Sequence, residues 1–162
     1  MTLALKLTHD EPRLVYLALV YHLGRPGSEL DAATRLPVER GLRQVKLGLG
    51  SDLDSEAAVI ELDEWQYARL RSAMKGCLTE LRVYHMREGA PSTVERWTET
   101  AESLFPAIRR DPELALDLAE SMIMLQRRIE RAVARALTEA PASSGAQAEE
   151  APRRRWPFKA KS

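Results

Sequence analysis

Between residues 63 and 137, apolar side chains recur at alternating intervals of three and four, interrupted only at two proline-bearing breaks. Packed α-helices are the one regular structure that places such a series on a single face. The first run, 64–87, carries Tyr67, Leu70, Met74, Cys77, Leu81 and Tyr84 along one seam, with Asp63 positioned to cap it. Gly89, Ala90 and Pro91 end it. A second run, 92–105, repeats the spacing at Val94, Trp97, Ala101 and Leu104 until Pro106 interrupts. Asp111-Pro112 opens the third, to about residue 137, through Leu118, Met122, Leu125 and Ile129, with Ala132 and Ala136 thinning the stripe. Connections of only a few residues force neighbouring helices to run back alongside each other, so 63–140 is expected to be an antiparallel three-helix bundle.

The residues before this bundle read differently. Residues 2–8 alternate Leu with smaller or polar side chains at a period of two, the pattern of a short half-buried strand, and the β-branched stretch 57–62 is a second strand able to pair with it. Between them, Asp10, Glu11 and Pro12 open a helix whose run from Leu14 to Leu23 is apolar throughout and stops at Gly24. Ser28 is a candidate N-cap for a short helix over 29–35, which Pro37 is expected to end. A further helix over 38–49 puts Val38, Leu42, Val45 and Leu49 on one face, and Gly48 and Gly50 should stop it. The fold class expected is therefore mainly α (α+β): an N-terminal α/β unit, 1–62, packed on the helical bundle, 63–140, as one domain.

Residues 141–162 stand apart. The stretch 141–152 has no large apolar side chain and is expected to be a disordered linker. It leads to Arg153-Arg154-Arg155-Trp156-Pro157-Phe158-Lys159-Ala160-Lys161-Ser162, five cations around two aromatics. Residues 141–162 together carry five positive and two negative charges, net +3, which leaves −3 for the other 140 residues of a neutral chain.

Several chemistries have no foothold. His9, His22 and His85 have no partner at the HExxH or CxxC spacing of metal sites, and no cofactor is expected. Cys77 lies on a core-facing seam, where a thiol is inert, and as a single cysteine it cannot form an internal bridge. The chain lacks the glycine-rich phosphate loop, the dinucleotide fingerprint and the GxSxG nucleophile turn. Asp52, Asp54, Glu56 and Asp63 sit at calcium-loop spacing, but Ala57 occupies the position where an EF-hand needs glycine, so an acidic solvated turn is expected instead. No enzymatic activity and no small-molecule substrate are inferred. The longest apolar run, about ten residues, is half of what a bilayer crossing requires and lacks a basic leader, so a cytoplasmic location is expected.

Two binding roles remain. The stretch 29–37, Glu-Leu-Asp-Ala-Ala-Thr-Arg-Leu-Pro, followed by an amphipathic segment and a strand, resembles the helix-turn-helix of winged-helix regulators. The resemblance covers about 40 residues. It implies a DNA-binding regulator in which Arg40, Arg43, Gln44 and Lys46 face the major groove. Gly41 within the reading helix and acids at 52, 54 and 56 in the wing position oppose that role, because glycine weakens a helix by roughly 1 kcal/mol and acids repel phosphate.

The other role, which the composition favours, is a non-catalytic interaction or adaptor protein. Its tail residues Arg153, Arg154, Arg155, Trp156, Phe158, Lys159 and Lys161 would dock on an acidic partner surface: a protein, or through the tail an anionic membrane or a nucleic acid. At about 1 kcal/mol per cation near an anionic surface, five cations alone give binding weaker than roughly 100 μM. A self-associating body, a homodimer in the simplest case, would multiply it. This role also requires an apolar patch left over on the helical body once the core is filled.

Overall fold

The computed structural model describes residues 2–25, 32–87, 92–94 and 96–139, with the side chains of 32–36 excepted. Its elements are β1 (Thr2–Thr8), α1 (Glu11–Gly24), α2 (Ala32–Asp52), β2 (Ala57–Asp63), α3 (Glu64–Tyr84), α4 (Trp97–Leu104), α5 (Ala107–Arg110) and α6 (Leu114–Glu139). The protein is mainly helical with one two-stranded sheet. β1 and β2 pair antiparallel over their full length, Thr2 opposite Asp63 and Thr8 opposite Ala57. Leu5, Leu7, Ala58, Ile60 and Leu62 turn inward at the period of two, and the alternating positions Ala4, Lys6, Val59 and Glu61 face out.

Helix α1 is the centre of the molecule. Leu14, Val15, Leu17, Ala18, Leu19 and Val20 are all buried, which a helix reaches only when neighbours cover it on several sides. It packs on α3, α2, α4 and β1, and α3 packs in turn on α6. One contiguous core therefore runs from Leu5 in β1 to Ile129 in α6. The bundle takes α1 into its middle, and 92–105 lies against α1 more than between its sequence neighbours. At the α1–α3 crossing, a Cβ on Gly76 would stand 2.2 Å from the Tyr21 ring, so the glycine sets how closely the two helices approach.

The N-terminus of α3 has the full capping box. Asp63 Oδ1 accepts from the Gln66 N–H at 2.8 Å, and Gln66 Oε1 accepts from the Asp63 N–H at 2.9 Å. Three expected helix limits are revised. Pro37 lies inside α2, which continues without a break, and the helix also runs through Gly48 and Gly50 to Asp52. A proline in the second turn forfeits one ladder bond, and burial of Val38, Leu42 and Leu49 along the same face outweighs it. Helix α4 starts at Trp97 rather than at 92. Ser92 is drawn into a turn, its N–H donating to Thr98 Oγ1 at 2.9 Å and its Oγ accepting from the Val94 N–H at 3.0 Å. The expected N-cap Ser28 lies outside the described residues.

Candidate functional site

Along α6 the apolar stripe outlasts the core. Ala115, Ala119, Met122, Leu125 and Ile129 are buried at steps of three and four. The next steps of four are Val133, half-buried, and Leu137, which is 61% exposed. Ala132 and Ala136 are partly covered as well, so the seam thins through the alanines as expected while Leu137 stands out beside it. Opposite these last two turns stand the end of the sheet and the start of α3. Together Leu3, Leu62, Tyr67, Ala68, Val133 and Leu137 enclose an apolar cavity of about 320 Å³, with Asp63 and Glu64 on its wall and no basic residue lining it. The carboxylate of Asp63 is already committed to the capping box, and Glu64 is exposed.

One to two turns before the cavity, the middle of α6 is held by polar contacts. Arg128 Nε donates to Glu11 Oε1 at 2.9 Å, and its Nη2 donates to Glu11 Oε2 at 2.5 Å and to the Lys6 carbonyl at 3.1 Å. Glu11 Oε2 also accepts from the Thr8 N–H at 2.8 Å. The Lys6 carbonyl and Thr8 amide are the backbone groups that β1 would otherwise leave open along its free edge, so this pair ties α6 to the strand and blunts that edge. His9, with φ 54°, makes the left-handed turn between β1 and α1 beside this pair. A third polar cluster joins the end of α3 to the segment before α4. Buried Glu80 accepts from Arg87 and, at 3.0 Å, from Ser92 Oγ. Nearby the Tyr84 hydroxyl donates to Glu102 Oε1 at 2.8 Å, and burial together with that carboxylate pushes the Tyr84 hydroxyl up to about 12.

Of the residues singled out for DNA, Arg40, Arg43 and Gln44 are exposed on one face of α2, and Leu47, 71% exposed, continues that face. Lys46 does not share it fully: its Nζ lies over the Tyr16 ring, 5.7 Å from the centroid. Because α2 passes through Pro37 unbroken, no turn separates a supporting helix from a reading helix at that point. Gly41 has a packing role, since a Cβ there would stand 2.1 Å from Gln66 Nε2 and displace the side chain that closes the α3 capping box. In the acidic turn, Asp54 pairs with Arg13 at 3.0 Å. The tail residues Arg153, Arg154, Arg155, Trp156, Phe158, Lys159 and Lys161 lie outside the described residues.

Cys77 is buried, and Trp97 Nε1–H donates to its sulfur at 3.4 Å. Burial pushes its thiol up to about 12 against the lowering effect of that hydrogen bond, so it is protonated and shielded at neutral pH. Among the described residues no group of three His, Cys, Asp or Glu side chains is placed to hold a metal ion. No helix among them is long and apolar enough to cross a membrane. Comparison of the chain with protein-family models, curated proteins and solved structures finds no match. The cavity at the end of α6 escaped the sequence reading because its walls come from three stretches far apart in sequence. The one signal for it was the step of four from Ile129 to Val133 to Leu137.

Proposed function

We propose that this chain is a non-catalytic interaction protein, with a helical body that presents a basic-aromatic C-terminal segment to an acidic partner surface. The observation that supports it is the apolar stripe of α6, half-covered at Val133 and left uncovered at Leu137. Such a remnant is what an adaptor needs and a self-contained solubilising body does not, because an open apolar patch is retained at a cost in solubility. Charge agrees with this role: net +3 in residues 141–162 against −3 in the remainder favours an acidic target for the tail. Recovery of partners from the native host with the intact chain and with a chain lacking 153–162, both after nuclease treatment, is the test. Partner loss on truncation, graded with salt, is expected. Identical recovery from both chains contradicts the proposal.

A second reading, duplex-DNA binding through α2, draws support from the exposure of Arg40, Arg43 and Gln44 along one face. It is the weaker reading, because the body is net negative and Leu47 stands among the cations. It requires duplex affinity that falls steeply between 50 and 200 mM salt and is reduced by Arg43→Ala.

A further inference from the structure

We infer that the apolar cavity at the end of α6 is the docking site of this chain's own Trp156-Pro157-Phe158, held there with Arg153–155 against the acidic rim. The inference rests on the cavity and on the chain's connectivity, and it stands whether or not a separate partner also takes the tail.

Connectivity puts the cavity within reach of those aromatics. Val133 and Leu137 belong to the last two turns of α6, within about 10 Å of its end at Glu139 at 1.5 Å per residue. Sixteen residues separate Glu139 from Trp156. A random coil of that length would span roughly 20–24 Å, more than the distance back to the cavity. Short tethers of this kind hold a ligand at about millimolar effective concentration, and an intrinsic dissociation constant near 1 mM then suffices for half occupancy. The shape suits one ring. At about 320 Å³ the cavity is at the small end of ligand pockets, which span roughly 300–1,000 Å³, and its walls are Leu3, Leu62, Tyr67, Val133 and Leu137. Trp and Phe each offer roughly 150–250 Å² to bury.

Charge selects the same occupant. Among the described residues, Asp63 and Glu64 are the only charged ones lining the cavity, and Glu61 projects outward from β2. The start of α3 carries a partial positive charge of about half a unit, which two carboxylates more than offset. Five cations flank the two aromatics in the tail.

The test uses the full chain with labelled methyl groups, comparing wild type with Trp156→Ala/Phe158→Ala, substitutions outside the core that leave the body folded. The methyl resonances of Leu3, Leu62, Val133 and Leu137 should differ between the two proteins by more than a linewidth, while those of Leu17 and Leu19 coincide. The differences should be independent of protein concentration from 20 μM to 1 mM. In wild type, the Trp156 indole should show cross-relaxation to the Leu137 methyls. Coincident cavity resonances in the two proteins overturn the inference. So do differences that grow with concentration, which would assign the cavity to the tail of a second copy. Leu137→Ser provides the converse arm: it should move the Trp156 indole resonance to the position it has in the unfolded chain, and an unmoved indole also overturns the inference.

Discussion

The two halves of α6 carry the same apolar period and meet opposite fates. From Ala115 to Ile129 every step of three or four finds a partner on α1, α3 or the strands and is buried; at Val133 the cover is partial, and at Leu137 the period continues but the body has ended. The covered stretch is also fixed near its end by the bidentate Arg128–Glu11 pair, whereas the last two turns have no ion pair among the described residues. An amphipathic stripe thus carries two kinds of information. Where it is covered it specifies the fold, and where it outruns its cover it marks a surface kept for something else.

The sharpest way to break this contrast is to truncate one residue from each half. Met122→Ala should lower the unfolding free energy by about 2–5 kcal/mol in urea titration, because it removes a fully buried side chain and leaves a cavity. Leu137→Ala should change it by less than about 0.5 kcal/mol. Similar losses at both positions would erase the distinction. Next in size is the Glu80 cluster, which belongs to the covered region although it is polar. Glu80→Ala leaves the Arg87 guanidinium, whose buried Nη1 has no hydrogen-bond partner among the described residues, facing an empty site, and should cost about 3 kcal/mol. Glu80→Gln should recover part of it. Gly76→Ala drives a methyl into the Tyr21 ring and should cost about 1–3 kcal/mol.

A smaller effect sharpens the same comparison through pH. In the folded chain the Cys77 thiol stays protonated until about pH 12, against 9.0 for the free group. Between those values the unfolded chain binds fewer protons than the folded one, so stability falls as pH rises, by up to about 1.4 kcal/mol per unit, and is unaffected below 9. Tyr84, raised from 10.0 to about 12, adds to the decline only above pH 10. Urea titrations at pH 8, 9 and 10 should therefore show a loss in wild type that Cys77→Ala abolishes between 9 and 10. Thiol reagents at pH 8 should label Cys77 no faster than global unfolding exposes it.

Much of the fold was legible in the sequence, for physical reasons that differ along the chain. The seams on α3 and α6 were visible because each helix is buried on one side only, and the strand pair because its alternation is undisturbed from Leu3 to Leu7. The central place of α1 was harder to see. A helix buried all round has no stripe, so its apolar run from Leu14 to Leu23 says that it is covered but not by what. Pro37 and Gly48 were read by local propensity, and tertiary burial of Val38, Leu42 and Leu49 overrode it. The cavity was least legible of all, since Leu3, Leu62, Tyr67 and Leu137 become neighbours only after the strands pair and α6 folds back across α3.

The central claim is that Val133 and Leu137 serve docking and not folding. Its most direct test is the double variant Val133→Ser/Leu137→Ser in the full chain, with unfolding free energy and the Trp156 indole environment measured on the same sample. The account predicts stability within about 1 kcal/mol of wild type, together with loss of the cross-relaxation between Trp156 and the cavity methyls. A large loss of stability, or a Trp156 environment identical to that of wild type, would contradict it.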